Sequence, residues 1–194
     1  MDLIWGTRIA TTDRWMGKLQ GVLAETGSLS LTHLIVKRGL LFPKRVAVEI
    51  EKIEQHSDEG IYLSISTEDF LGLLPQDPGY DDSSMLVLSL KARIAPQVGE
   101  PFALRGVRTD NNSRAISHLI ARGRGWRSKG RILPTEIIQG FSLEQIGLKV
   151  TDHKVLSYPL RILDKDIETD IWENLYDRDM SIDADIDGVS IAAS

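Results

Sequence analysis

Apolar and β-branched residues in the first third of this chain fall in short runs, at residues 7–10, 18–24, 30–37, 45–53 and 61–66. Turn-forming residues close each run: Asp13-Arg14, Glu25-Thr26-Gly27, a loop over 38–44 with Gly39 and Pro43, and His56-Ser57-Asp58-Glu59-Gly60. Runs of this length and spacing predict strands, and five or six of them predict a small antiparallel barrel or tightly rolled sheet, because closure removes exposed edges. Thr67 then predicts a cap for a helical turn, with Glu68 and Asp69 at its positive end and Pro75 and Pro78 stopping it.

A second set of runs follows at 85–90, 103–107, 115–122, 130–138 and 148–151, less regular than the first because Pro96 and Pro101 have to sit at edges or in loops. Residues 167–178 predict a helix, with Ile167, Ile171 and Leu175 on one face and Asp166 as N-cap. Beyond it Ile182, Ala184 and Ile186 alternate with Asp183, Asp185 and Asp187, the period of a half-buried strand.

The two sets share a phrase. His33-Leu34-Ile35-Val36-Lys37-Arg38-Gly39 returns as His118-Leu119-Ile120-Ala121-Arg122-Gly123, 85 positions on. Turn formers precede both copies (Asp13-Arg14; Asp110-Asn111-Asn112), and Leu74-Pro75 and Tyr158-Pro159 close them. Arg45-Val46-Ala47-Val48 and Arg131-Ile132-Leu133-Pro134 follow basic loops, and the closing prolines, Pro75 and Pro159, stand 84 positions apart, a register slip of one residue over the whole unit. A period this long is too wide for a solenoid and suits two small domains. The expected organisation is a first domain over 1–74, a linker over 75–84, a second domain over 85–165 and a tail over 166–194.

Composition adds limits. The chain has 194 residues, 42% hydrophobic and 26% charged, ordinary for a folded protein, and its lack of cysteine excludes disulfides, thiol catalysis and Cys-ligated metal sites. No apolar run approaches the roughly 20 residues of a membrane span, and the start lacks signal-peptide character, so a cytoplasmic location is expected. Ten acidic residues against Lys165 and Arg178 give residues 164–194 a net charge of −8 within a total of −5, leaving the body at +3.

With Gly6-Thr7-Arg8-Ile9, Asp13, Met16-Gly17-Lys18-Leu19, Val22-Leu23, Leu34-Ile35-Val36-Lys37-Arg38-Gly39, Val46-Ala47-Val48 and Gly60-Ile61-Tyr62-Leu63, the first unit resembles the PRC-barrel family. The second unit is similar mainly over 115–139 and at its Pro-containing end. The resemblance implies a mainly β fold of two small antiparallel barrels, with short helical turns and one C-terminal helix. It also implies a protein-interaction or assembly module rather than an enzyme. The tail weakly resembles the opening helix and strand of a BON domain, which needs about twice the length available, and a docking tail is the preferred reading.

The most unusual local composition lies at 122–131. Arg122, Arg124, Arg127, Lys129 and Arg131 surround Trp126 and three glycines, a set that can neutralise phosphates and stack on a base or guanidinium. A solvated hairpin loop is the plainer reading, and pairing with the acidic tail is a third. His33 and His118 occupy matching strand positions but are too few to hold a metal. Asp183-Ala184-Asp185-Ile186-Asp187-Gly188 mimics the start of a calcium loop, yet Ser190 and Ser194 stand where an apolar residue and a bidentate Glu are required. No nucleophile motif, Walker loop or dinucleotide fingerprint occurs. The expected function is therefore a non-enzymatic, cofactor-free adaptor whose ligand is another protein. RNA binding through 122–131, a peripheral place on a membrane complex, and self-association are the alternatives.

Overall fold

The computed structural model describes residues 1–39, 44–74, 84–110, 113–123, 129–142 and 144–162. The 75–83 part of the expected linker, residues 124–128, the expected helix at 167–178, the strand at 182–189 and the calcium-like segment lie outside them.

The fold is mainly β, with 56% strand and 12% helix among the described residues. The first half runs β1 (Asp2–Ile4), β2 (Arg8–Ala10), β3 (Trp15–Glu25), β4 (Leu31–Arg38), β5 (Lys44–Glu49), a 3-10 turn at Ile50–Lys52, β6 (Ile53–His56), β7 (Ile61–Leu63) and helix α1 (Thr67–Gly72). The second half repeats this order with β8 (Met85–Ser89), β9 (Arg93–Ala95), β10 (Phe102–Thr109), β11 (Ile116–Arg122), β12 (Lys129–Pro134), a 3-10 turn at Thr135–Ile137, β13 (Ile138–Phe141), β14 (Gln145–Leu148), α2 (Asp152–Leu156) and β15 (Leu160–Ile162).

The register between halves is a constant 85 residues. Leu34 faces Val48 as Leu119 faces Leu133, and Ile9 lies parallel to Ile61 as Ile94 does to Ile146. Strand pairing makes Val46, not Arg45, the counterpart of Arg131, and Pro75, where the one-residue slip is expected, lies outside the described residues. The true counterpart of the Asp110 turn is likewise Glu25, since Leu29 and Arg114 hold the same left-handed conformation (φ 55° and 56°) after them. These two turns meet, with the Leu31 N–H donating to the Arg114 carbonyl and the Ile116 N–H to the Leu29 carbonyl around a bridge between Ser30 and Ala115.

Neither sheet closes into a barrel, which corrects the expected architecture. The first sheet runs β5-β4-β3-β2-β7-β6 and the second β13-β14-β9-β10-β11-β12-β15. Each long strand, β3 or β10, bonds a strand of its own half along its start and a strand of the other half along its end. β8 lies on β3 (Leu88 opposite Val22) and β1 lies on β10 (Leu3 opposite Val107). The halves thus exchange their first strands, so the edge that closure would need is already occupied. Gly21 and Gly106 permit the exchange: a Cβ there would stand 2.4 Å from the Leu88 and Leu3 carbonyl oxygens respectively. Asp2 anchors β1 further, accepting from Arg108 at 2.6 and 3.0 Å and pairing with Arg161 of β15.

Met1–Leu163 forms one compact unit, and its core is one cluster joining Leu3, Ile9, Leu19, Val36 and Phe70 to Leu88, Ile94, Leu104, Leu119 and Val155. The expected strand at 45–53 is broken because Ile50 turns into this core while Glu51 and Lys52 turn out. Helix α1 begins one residue earlier than expected, with Ser66 as its N-cap accepting from the Asp69 N–H at 3.1 Å. The short strands β1, β6, β9 and β15 and helix α2 were not among the expected elements. Among the described residues no helix is long and apolar enough to cross a membrane.

Candidate functional site

Of the six basic-segment residues, Arg124, Trp126 and Arg127 lie outside the described residues, and Lys129 opens β12 with its backbone opposite Ile162. Arg122 ends β11 with 8% of its surface exposed. Arg131 sends Nη1 to the Tyr158 carbonyl at 2.6 Å, just past α2. Arg38 does the same work in the first half, donating to the Phe70, Leu71 and Leu73 carbonyls at the end of α1. A cation there satisfies helix-end carbonyls and complements the helix dipole.

The strand histidines are placed by the fold. His118 Nδ1 lies 3.0 Å from Ser117 Oγ, which invites a nucleophile–base reading. That serine hydroxyl donates to the Arg108 carbonyl at 3.2 Å, however, and Thr32 makes the equivalent bond to the Leu23 carbonyl at 3.3 Å beside His33. The hydroxyl is thus a repeated strand-to-strand tie. Burial, and then the Arg108 charge, lowers the His118 pKa.

A different cluster emerges from the register of the first sheet. Arg8 lies opposite Lys18, Lys18 opposite Lys37, and Lys37 opposite Arg45, so four cations form one row across β2, β3, β4 and β5. Directly opposed residues point to the same side, and their neighbours Ile9, Leu19, Val36 and Val46 are buried on the other. Four strands at about 4.8 Å spacing make the row about 14 Å long. Burial, followed by the charges of Arg45 and Lys18, holds the Lys37 ammonium below its usual pKa range.

An aromatic pair flanks the row. The Arg8 guanidinium lies 4.1 Å over the Trp15 ring, and the Tyr62 ring is 5.4 Å from Trp15 at 51°. Trp15 keeps 36% of its surface exposed, and its six-membered ring rests against Gly60, where a Cβ would stand 2.7 Å from it. Tyr62 directs its hydroxyl to Glu59 at 3.1 Å. In the second sheet the corresponding row reads Arg93, Ala103, Arg122, with Gly130 at the position of Arg45. The four-cation row is therefore particular to the first half.

Nothing in the linear sequence marked this row, because its members are 10, 19 and 8 residues apart. Only pairing register joins them. No protein-family model matches this chain, and no curated protein matches it.

Proposed function

We propose that the protein is a non-enzymatic adaptor or assembly module of the PRC-barrel type, cytoplasmic, that binds an acidic surface of another protein through the outer face of its first sheet. The observation that carries this reading is the Arg8–Lys18–Lys37–Arg45 row with Trp15 and Tyr62 at its end. Exposed ion pairs contribute about 0.2–1 kcal/mol each, so the row sets orientation and encounter rate more than affinity. The Trp15–Tyr62 patch supplies the apolar part of the contact, as aromatic anchors do in interfaces.

RNA binding is the second reading, favoured by the same combination of cations and aromatic rings. The Trp15 face is already covered by Arg8, so a base would have to displace a guanidinium to stack there. That geometry ranks the protein ligand first. The two readings, and that of a membrane-complex surface, separate in one titration at physiological salt against a glutamate-rich peptide, a single-stranded RNA 12-mer and phosphatidylserine vesicles. The acidic peptide should bind and lose its affinity on Lys18→Glu. Tighter RNA or vesicle binding would refute the protein reading.

A further inference from the structure

One cation of the row is held on an aromatic platform. Arg8 lies exposed at the start of β2, with its guanidinium carbon 4.1 Å over the centre of the Trp15 ring. Contact with a ring face uses none of the five N–H donors of a guanidinium. Among the described residues no oxygen accepts a hydrogen bond from this guanidinium, and no carboxylate pairs with it. The platform beneath it is braced on two sides. Trp15 stands against Gly60, where a Cβ would come within 2.7 Å of the indole, and against the Tyr62 ring at 5.4 Å. Tyr62 is fixed in turn by the bond of its hydroxyl to Glu59 at 3.1 Å.

The second half folds without any of this. Arg93 is the counterpart of Arg8, but Glu100, Gly147 and Gln145 stand 85 residues on from Trp15, Tyr62 and Gly60. Ala95 still pairs with Gly147 as Ala10 pairs with Tyr62, so the strands do not need the rings. We propose that Arg8, laid on Trp15, is the residue that selects the partner, and that it takes one side-chain carboxylate of that protein in a two-pronged contact. Guanidinium and carboxylate are both planar, and two parallel N–H···O bonds fix their mutual orientation. Stacking has already restricted the arginine, so less freedom is lost when the carboxylate arrives. An ammonium in the same place would offer a point charge without the fork. Glu59 adds a fixed negative charge beside the platform, which favours a singly charged carboxylate over a phosphoryl group. This inference rests on the protein-binding reading: it names the group the partner presents and the side chain that accepts it.

The test uses the full chain, isotopically labelled so that the Arg8 Nε–H resonance is read directly, and the glutamate-rich peptide. The peptide should move that resonance downfield as a carboxylate takes the proton donor. Arg8→Lys keeps the charge at an exposed position and should weaken binding about tenfold through loss of the bidentate contact. Trp15→Leu keeps an apolar side chain and should weaken binding too, but adding it to Arg8→Lys should cost little more, because the ring acts through the arginine it carries. A peptide of equal net charge with half as many phosphoserines in place of the glutamates should bind no more tightly. Parent-like affinity of Arg8→Lys, strictly additive losses in the double variant, or tighter binding of the phosphoserine peptide would overturn the proposal. If binding survives Arg8→Lys and is lost on Lys18→Glu, the face reading stands and the Arg8 inference falls. If the peptide does not bind the parent protein, both fall.

Discussion

Asp13 shows how a single exposed residue can matter through the bond it makes. Its carboxylate accepts from the Thr67 N–H at 2.9 Å, and that bond is the largest influence lowering its pKa, ahead of the hydroxyl of Thr12. A carboxylate with a lowered folded pKa stabilises fully above its unfolded value and ceases to do so as pH falls through the folded one. Asp13→Asn should therefore lower the melting temperature at pH 7, with the gap to the parent closing as the pH drops below about 3.8. The sequence placed Asp13 in a turn but could not show that it reaches a helix 54 residues away. Glycines carry the duplication as well: Leu19-Gln20-Gly21-Val22 and Leu104-Arg105-Gly106-Val107 repeat at the same 85-residue spacing. Gly21→Ala should cost about 1–3 kcal/mol by urea denaturation, because its Cβ would press on a backbone oxygen. Gly27→Ala, which meets nothing within 4 Å, should stay within about 0.5 kcal/mol.

Most of the longer strands were readable at the level of elements, because apolar side chains on one face of β3, β4, β10 and β11 recur with the period of a strand. The three-residue strands β1 and β9 were not, since so short a segment carries no periodicity and is held by its neighbours. The exchange of β1 and β8 was unreadable for a deeper reason. Leu3 and Leu88 are both fully buried, and the apolar character that puts each in the core is the same whichever long strand it joins, so local pattern cannot say which that will be. The exchange makes a firm prediction: residues 1–84 and 85–163 expressed separately should each lack an ordered sheet, having lost β8 or β1 from it. Mixed, they should regain dispersed amide resonances. Two independently folded fragments would show that the donated strands are dispensable.

Among the described residues, two histidines in different halves of the fold lean the same way. His118 is held below its usual pKa by burial and then by Arg108, and His56 by burial and then by the N-terminal amine, with Asp58 opposing. A histidine lowered in the folded state favours folding fully above its unfolded value of about 6.5, and that contribution is lost as pH falls through the folded value. The urea midpoint should therefore drop between pH 7 and pH 5, and His56→Gln combined with His118→Gln should flatten this drop. The sequence alone determined the β class, the 85-residue duplication and the positions of the longer strands, because these follow from residue-by-residue preferences and from alternation along one segment. Only the tertiary structure decided that the sheets stay open, that the first strands are exchanged, and that Arg8, Lys18, Lys37 and Arg45 stand in line. Those outcomes depend on which backbone pairs with which, a relation between distant segments, and the alternation within a single strand is the same whichever neighbour it joins.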